Sequence, residues 1–375
     1  MDYIVQLWDN HDINSLKLLQ IVHRHGDRNT EDYLKNDPFN DMDKYWPEGS
    51  GELFAYGKYR MYKLGQFIRQ EYGEYLGSEY SPREVYIRSS AKSRCLESAS
   101  MVMAGAYPPM NKTWQWNQGK DAQLGQEWQP EPIYTYPLEM MDEDRLLRVE
   151  PKCPTAQQFS KNYYKTTDKK MIEENKQFVQ NVSKIIGESE EEVLSFYDVF
   201  HIELERGYKW SDKGLMSEEW EQTVLKKVKE FSDIRWSGCY NAPVVWRTRG
   251  GPLVKELLKN FDDKIQTNDK KFKKLFDYST HDNKLVILLQ ALGVFNNLTV
   301  PFGATVLFEL HQKPENGHYF VRLYYHNETL TGTPHALRIP QCDYQTDCPI
   351  DKYRELSRKL IPDDWEQECG LTGAI

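Results

Sequence analysis

Leu16-Lys-Leu-Leu-Gln-Ile-Val22 runs straight into His23-Arg-His-Gly-Asp-Arg28, and this junction decides the fold. The first half is short and largely apolar, the pattern of a strand buried in a parallel or mixed sheet. Its charged end is the kind of place where open α/β sheets hold ligands. Downstream, Gly51 to about Leu76 reads as a long amphipathic helix, with Leu64, Phe67 and Ile68 on one face and Arg60 and Arg69 nearby. Val85-Tyr-Ile87 reads as a second short strand ending at Arg88, followed by a small-residue helix from Ser89 to about Ala104 that carries Arg94. Further along, Leu275–Tyr278 reads as another strand, ends at Ser279-Thr-His-Asp282 and leads into a helix over Lys284–Leu292. Phe302–His311 and Tyr319–Tyr325 form a predicted hairpin about Pro314-Glu-Asn-Gly317, whose Asn-Gly pair is a strong turn signal.

Between these stretches the composition changes. From about Asn111 to Tyr240 the chain is rich in Trp, Tyr, Lys and Glu, with helical patterns near Met171–Ile186 and Glu218–Phe231. The expected architecture is an α/β three-layer sandwich with a central mixed sheet and a mostly helical cap inserted in the chain. The expected boundaries are 12–110 and 245–375 for the two parts of the core and 111–244 for the cap.

The 375 residues carry 48 basic and 57 acidic side chains, a formal net charge of −9. That balance argues against a nucleic-acid binder, whose affinity rests on basic groups meeting phosphates. The longest apolar stretch, around Leu285–Leu292, is far shorter than the roughly 20 residues of a membrane span.

Three predicted strands end in charged residues: Val22 before Arg24, His25 and Arg28; Ile87 before Arg88 and Arg94; Tyr278 before His281 and Asp282. Converging strand ends of this kind make an anion site, because the forked guanidinium matches phosphate oxygens two at a time. A histidine in such a nest can attack phosphorus directly, and a neighbouring aspartate can protonate the leaving oxygen. His201, His311, His318, His326 and His335 show no ligand spacing, so no metal is expected, and the chemistry just described needs no organic cofactor. The lysine-rich run Lys264–Lys274 reads as a solvated face.

On these residues the chain resembles the histidine acid phosphatases of the phosphoglycerate-mutase-like superfamily. The likeness continues through Val85-Tyr-Ile-Arg-Ser89, Trp128-Gln-Pro130, Gly250-Gly251, Tyr324-Tyr-His-Asn-Glu-Thr329 and Ile361-Pro-Asp-Asp-Trp365. It is greatest for the secreted animal branch, which includes prostatic-type and insect venom or salivary proteins. The resemblance implies that His25 is the phosphorylated nucleophile and Asp282 the general acid. It implies that Arg24, Arg28, Arg94 and His281 clamp the phosphate, or line the pocket of a different ligand.

Four positions depart from the family pattern. Thr30 stands where a proline closes the R-H-G-x-R-x-P motif, and Ala91 replaces an acidic neighbour in Arg88-Ser-Ser-Ala-Lys-Ser-Arg94. His23 takes a place that is usually aromatic or apolar, and Lys284 one where a small hydroxyl residue is usual. A lysine charge there would stabilise the anion of Asp282 and weaken it as an acid. Two functions therefore stay open. One is a phosphomonoesterase working at acid pH through a phosphohistidine. The other is a silenced fold of the salivary or venom kind, whose aromatic-rich pocket holds a biogenic amine by cation–π attraction or a lipid mediator.

Six cysteines, two of them close together, read better as disulfides than as metal ligands, although six allow 15 pairings. The resemblance implies Cys153–Cys369 and Cys342–Cys348, leaving Cys95 and Cys239 unassigned. Asn111, Asn181, Asn297 and Asn327 begin glycosylation sequons. Cysteines and sequons together favour the secretory route. Met1 to Asp9 lacks a basic segment and a long apolar one, so the numbering is expected to begin on a secreted form whose signal peptide has been removed.

Overall fold

The apolar run that opens the chain forms β1 (Leu16–Arg24), and Leu18, Leu19, Ile21 and Val22 are wholly buried. Both faces of this strand are therefore covered, as a largely apolar strand requires. The computed structural model describes residues 12–111, 115–116, 123–148, 150–267 and 272–371. Met1–Asp9, Thr113 of the first sequon and Lys270-Lys271 of the lysine-rich run lie outside the described residues.

The other strands are β2 (Val85–Ser89), β3 (Ile133–Tyr134), β4 (Leu275–Thr280), β5 (Thr305–Gln312), β6 (Tyr319–His326), β7 (His335–Leu337) and β8 (Cys348–Pro349). They form one mixed sheet in the order β3-β2-β4-β1-β5-β6-β7, with β8 on β6. The β3, β2, β4 and β1 strands run parallel, and β5, β6 and β7 continue antiparallel.

Alternation along the strands divides the core in two. Leu18 and Val22 pack with Tyr278, Val306 and Phe308 against the helices Gly251–Thr267, Asp282–Ala291 and Ile350–Leu360. Leu19 and Ile21 pack with Leu275 and Leu307 against the helices Ala55–Leu76 and Ser93–Ala106. The result is an α/β sandwich with helices on both faces of a central mixed sheet. A third apolar cluster belongs to the helices Pro154–Glu174, Lys176–Ile186, Tyr197–Glu205 and Glu218–Cys239, and it also takes in Leu34, Phe39 and Trp46.

Two helix starts differ from expectation, each for a local reason. The first long helix begins at Ala55 instead of Gly51, because Leu53 is engaged in a bridge with Arg28 and Gly51 has a positive φ. The next begins at Ser93 instead of Ser89. Ser89 still belongs to β2, and the Ser90 amide donates to the Ser279 carbonyl.

Both implied disulfides are present, Cys153–Cys369 and Cys342–Cys348, and Cys95 and Cys239 are buried free thiols. Burial pushes each of these thiols up to about 11, which makes them inert. Asn111, Asn181 and Asn297 are exposed, whereas Asn327 is half-buried. Among the described residues no helix is long and apolar enough to cross a membrane.

Candidate active site

Because β2, β4 and β1 are adjacent and parallel, their carboxyl ends meet on one edge of the sheet, with Ser89 beside Ser279 and Arg24 beside Thr280. The backbone then leaves the sheet under tight control. The His25 amide donates to the Thr280 carbonyl, and the Gly26 amide donates to the Ser98 hydroxyl. Gly26 is required here: a Cβ at this position would lie 2.5 Å from the Gly57 carbonyl oxygen. Asp27 turns away from the site and is held by Arg60, at 2.6 Å from Nε and 3.2 Å from Nη2.

Arg24, His25, Arg28, Arg94, His281 and Asp282 all line one cavity of about 950 Å³. Arg88 does not line it. Although it ends a strand as expected, it is buried against Asp144 at 3.0 Å, so this strand end reaches the cavity through Ser90 and Arg94 instead.

His25 is 2% exposed. Its Nδ1 lies 2.9 Å from the Gly26 carbonyl oxygen, which can only accept. Nδ1 therefore carries the proton and Nε2 the lone pair. Burial, reinforced by the charges of Arg24 and Arg94, holds the His25 pKa well below the ordinary histidine range. His281 is lowered in the same way, by burial and then by Arg94 and Arg24. Its Nε2 is 3.0 Å from the Ser90 hydroxyl and 3.6 Å from Cys95 Sγ.

Asp282 opens the helix Asp282–Ala291, where its Oδ1 accepts from the Asn283 amide. Its Oδ2 is 2.7 Å from Arg24 Nη2. Arg24 is further fixed by donating to the Val300 carbonyl at 2.6 Å and by stacking over Phe302 at 3.9 Å.

The departures resolve differently from the expectation built on charge. Lys284 does not reach Asp282. It is fully buried, donates to the Arg249 carbonyl at 2.7 Å and does not line the cavity. Two residues along a helix turn a side chain by roughly 200°, which sends Lys284 to the opposite side from Asp282. His23 is accommodated by Asp277 on the neighbouring strand, at 3.0 Å with both side chains wholly enclosed. Thr30 is buried and caps its own turn by donating to the Asp32 carbonyl at 2.7 Å. Ala91 lines the cavity.

Several cavity residues were not singled out by sequence reasoning. Glu31 bridges Arg94 through two contacts, at 3.0 and 3.2 Å, and lies 3.8 Å from Arg28. Its signal was its place three residues after Arg28. Asp198 meets Arg28 at 2.8 Å from the helix Tyr197–Glu205. With the two partners 170 positions apart, no local pattern pointed to it. His201, which shows no metal-ligand spacing in the sequence, lines the cavity one turn further on and stacks on Tyr197.

A sheet whose parallel strand ends present Arg-His-Gly-x-Arg, a distant arginine and His-Asp to one cavity defines a histidine phosphatase, and the family model for the histidine phosphatase superfamily (branch 2) matches residues 15–326. The chain belongs to that family. It is 34% identical to prostatic acid phosphatase of Rattus norvegicus over 363 residues, covering 94% of this chain and 89% of the relative. It is 32% identical to lysosomal acid phosphatase of Homo sapiens over 365 residues, covering 95% and 81%. Among solved structures, the phytase from Citrobacter braakii superposes with a TM-score of 0.68 over 95% of this chain and 99% of its own. Hafnia alvei phytase in complex with tartrate gives 0.68 over 95% and 98%. At 15% and 14% identity these two show the fold alone.

Proposed function

We propose that the protein hydrolyses phosphomonoesters of small molecules at acid pH through a phosphohistidine on His25. One observation carries this reading: an imidazole with its proton on Nδ1, held neutral by burial and arginines, shares a cavity with Arg24, Arg28, Arg94, His281 and Asp282. Arg24, Arg28 and Arg94 bind the phosphoryl oxygens and stabilise the charge that develops on them, with His281 alongside. The Nε2 lone pair of His25 forms the bond to phosphorus as the bond to the leaving oxygen breaks. Protonated Asp282 delivers its proton to that oxygen, and the alcohol departs. Water then attacks the phosphohistidine, gives a proton to Asp282, and orthophosphate leaves with His25 restored. No step calls on a metal or an organic cofactor.

The division into a core (12–110 and 245–375) and a cap (111–244) is part of the same proposal, with leaving-group selection falling to the cap side of the cavity. Secretion is supported by the two disulfides and by the exposure of three of the four sequon asparagines. The relatives named above are prostatic and lysosomal phosphatases, and their names accord with an acid working range.

The second reading, an amine- or lipid-holding pocket without turnover, rests on Tyr164, Tyr197 and Trp236 in the cavity wall. Arg235 already stands 4.7 Å from the Tyr164 ring and Lys229 6.0 Å from the Tyr197 ring. Two of the faces an ammonium would use are thus taken by the protein's own cations, so the hydrolytic reading has the better support.

The test is hydrolysis of a generic aryl phosphate from about pH 4 to 7, with His25→Ala as the matched blank. Turnover above the blank supports the assignment. Equal rates refute it and leave the binding reading, which calorimetric titration of amines and lipids would then probe.

A further inference from the structure

Every arginine of the phosphate clamp already faces a carboxyl group of the chain itself. Arg24 faces Asp282 at 2.7 Å, Arg28 faces Asp198 at 2.8 Å, and Arg94 faces Glu31 at 3.0 Å. Asp282 has work to do in the reaction proposed above, but Glu31 and Asp198 have none. The Glu31 contact is the most telling. Its two oxygens take the two terminal nitrogens of Arg94, at 3.0 and 3.2 Å, in the parallel fork geometry by which guanidinium recognises a phosphate. One of those oxygens is also 3.8 Å from Arg28, so a single carboxylate spans two members of the clamp.

The seat of Glu31 is built for it. The side chain lies over Gly51, where an added Cβ would come 2.8 Å from the Glu31 Cγ. Gly51 has a φ of +68°, and its amide donates to the Thr30 carbonyl just before Glu31. Only glycine leaves that space and adopts that backbone without strain. At 37% side-chain exposure, Glu31 is also free to swing out into the cavity, as a fixed buried carboxylate would not be.

We propose that Glu31, seconded by Asp198, is a built-in counter-anion that occupies the phosphate-binding forks of Arg94 and Arg28 in the empty enzyme and must be displaced by any entering oxyanion. Buried guanidinium groups left without a partner are costly, so the carboxylates stabilise the empty site. The same contacts weaken the site's hold on phosphate. Glu31 thereby sets oxyanion affinity and hastens release of orthophosphate, without taking part in bond making. This rests on reading the cavity as a phosphate site, and the experiment separates the two.

Calorimetric titration of inorganic orthophosphate into the wild type, Glu31→Gln and Asp32→Asn tests it. Asp32 carries the same charge one residue away, but its carboxylate forms no ion pair with Arg28 or Arg94, so it reports the through-space effect alone. The expected result is orthophosphate binding roughly five- to twentyfold tighter in Glu31→Gln, the worth of a partly exposed forked ion pair, with less than a twofold change in Asp32→Asn. Unchanged or weaker binding in Glu31→Gln would overturn the proposal, weaker binding meaning that Glu31 positions Arg94 instead of competing for it. Equal tightening in both variants would also overturn it, as a general charge effect. Absence of orthophosphate binding in all three proteins would sink the phosphate-site reading with it, and the His25→Ala comparison decides that reading independently.

Discussion

The Nζ of Lys284 sits 2.7 Å from the carbonyl oxygen of Arg249, inside the protein, although its residue is only two places from Asp282. The acceptor is supplied by the π-helical turn Trp246–Gly250, which leads into the helix Gly251–Thr267. Burial lowers this lysine to about 7. A base whose folded pKa lies below its unfolded value binds fewer protons when folded. Its contribution is therefore most favourable above about 10.5, falls as pH drops, and is flat below about 7. Lys284→Met should stabilise the protein by roughly 2–4 kcal/mol more at pH 5 than at pH 10, read from urea midpoints at the two values. The pH–rate profile of the variant should overlay the wild type, because the amine does not face the site. A shifted acid limb would restore the charge effect expected from sequence.

His25 makes a prediction of the opposite kind, about activity. An ordinary histidine protonates near 6.5 and would lose its lone pair in acid. Burial and the neighbouring arginines hold His25 lower, so kcat/KM should show no loss through pH 6.5 as the medium is acidified. Arg94→Gln removes one of the charges that lower it. In that variant the acid limb of kcat/KM should move to higher pH, alongside a rise in KM. An unmoved limb would mean that another group governs it.

What sequence reasoning could reach follows from where the interactions lie. The strand Leu16–Val22, the motif after it, Arg94 and His281-Asp282 are legible because a strand end and its charged residues are neighbours in sequence. Parallel pairing of β1, β4 and β2 then brings them together without further information. The reading failed where direction around an element matters. Arg88 and Lys284 both lie beside site residues in sequence and both point elsewhere, to Asp144 and to the Arg249 carbonyl. It failed again where partners are remote, as with Asp198 and Arg28. Helical periodicity near Glu218–Phe231 and Met171–Ile186 announced helical structure, but not the break at Asn175 that divides the second stretch between two helices, nor which turn faces the cavity.

The helical part of the chain carries its own pH dependence. Glu203 is wholly buried, accepts from Trp210 Nε1 at 2.6 Å and shares a hydrogen bond with Asp37, with Tyr33 close by. Burial, helped by the Asp37 charge, pushes Glu203 up to about 9. A carboxyl raised in the folded state holds a proton that the unfolded chain gives up, so stability falls as pH rises from about 4.5 to about 9. Glu203→Gln keeps the neutral form at every pH. It should match the wild type at pH 4.5 and exceed it by roughly 2–4 kcal/mol at pH 8, measured by urea unfolding. Equal loss of stability at both pH values would show that the amide cannot replace the shared proton.

The cysteines give a test that needs no substrate. Cys95 and Cys239 are buried and raised to about 11, so a thiol reagent should find none in the native protein, two after denaturation and six after reduction. The two disulfides should then differ in worth. Cys153–Cys369 closes 216 residues and ties the start of the helix Pro154–Glu174 to the chain's last described segment, whereas Cys342–Cys348 closes only six. Loop-closure entropy grows with the logarithm of loop length, giving about 5 kcal/mol for the first and about 2 for the second. Replacing Cys153 and Cys369 together with alanine should therefore lower the unfolding midpoint well beyond the Cys342/Cys348 double replacement. The reverse order would mean that strain or residual structure in the unfolded chain outweighs loop closure.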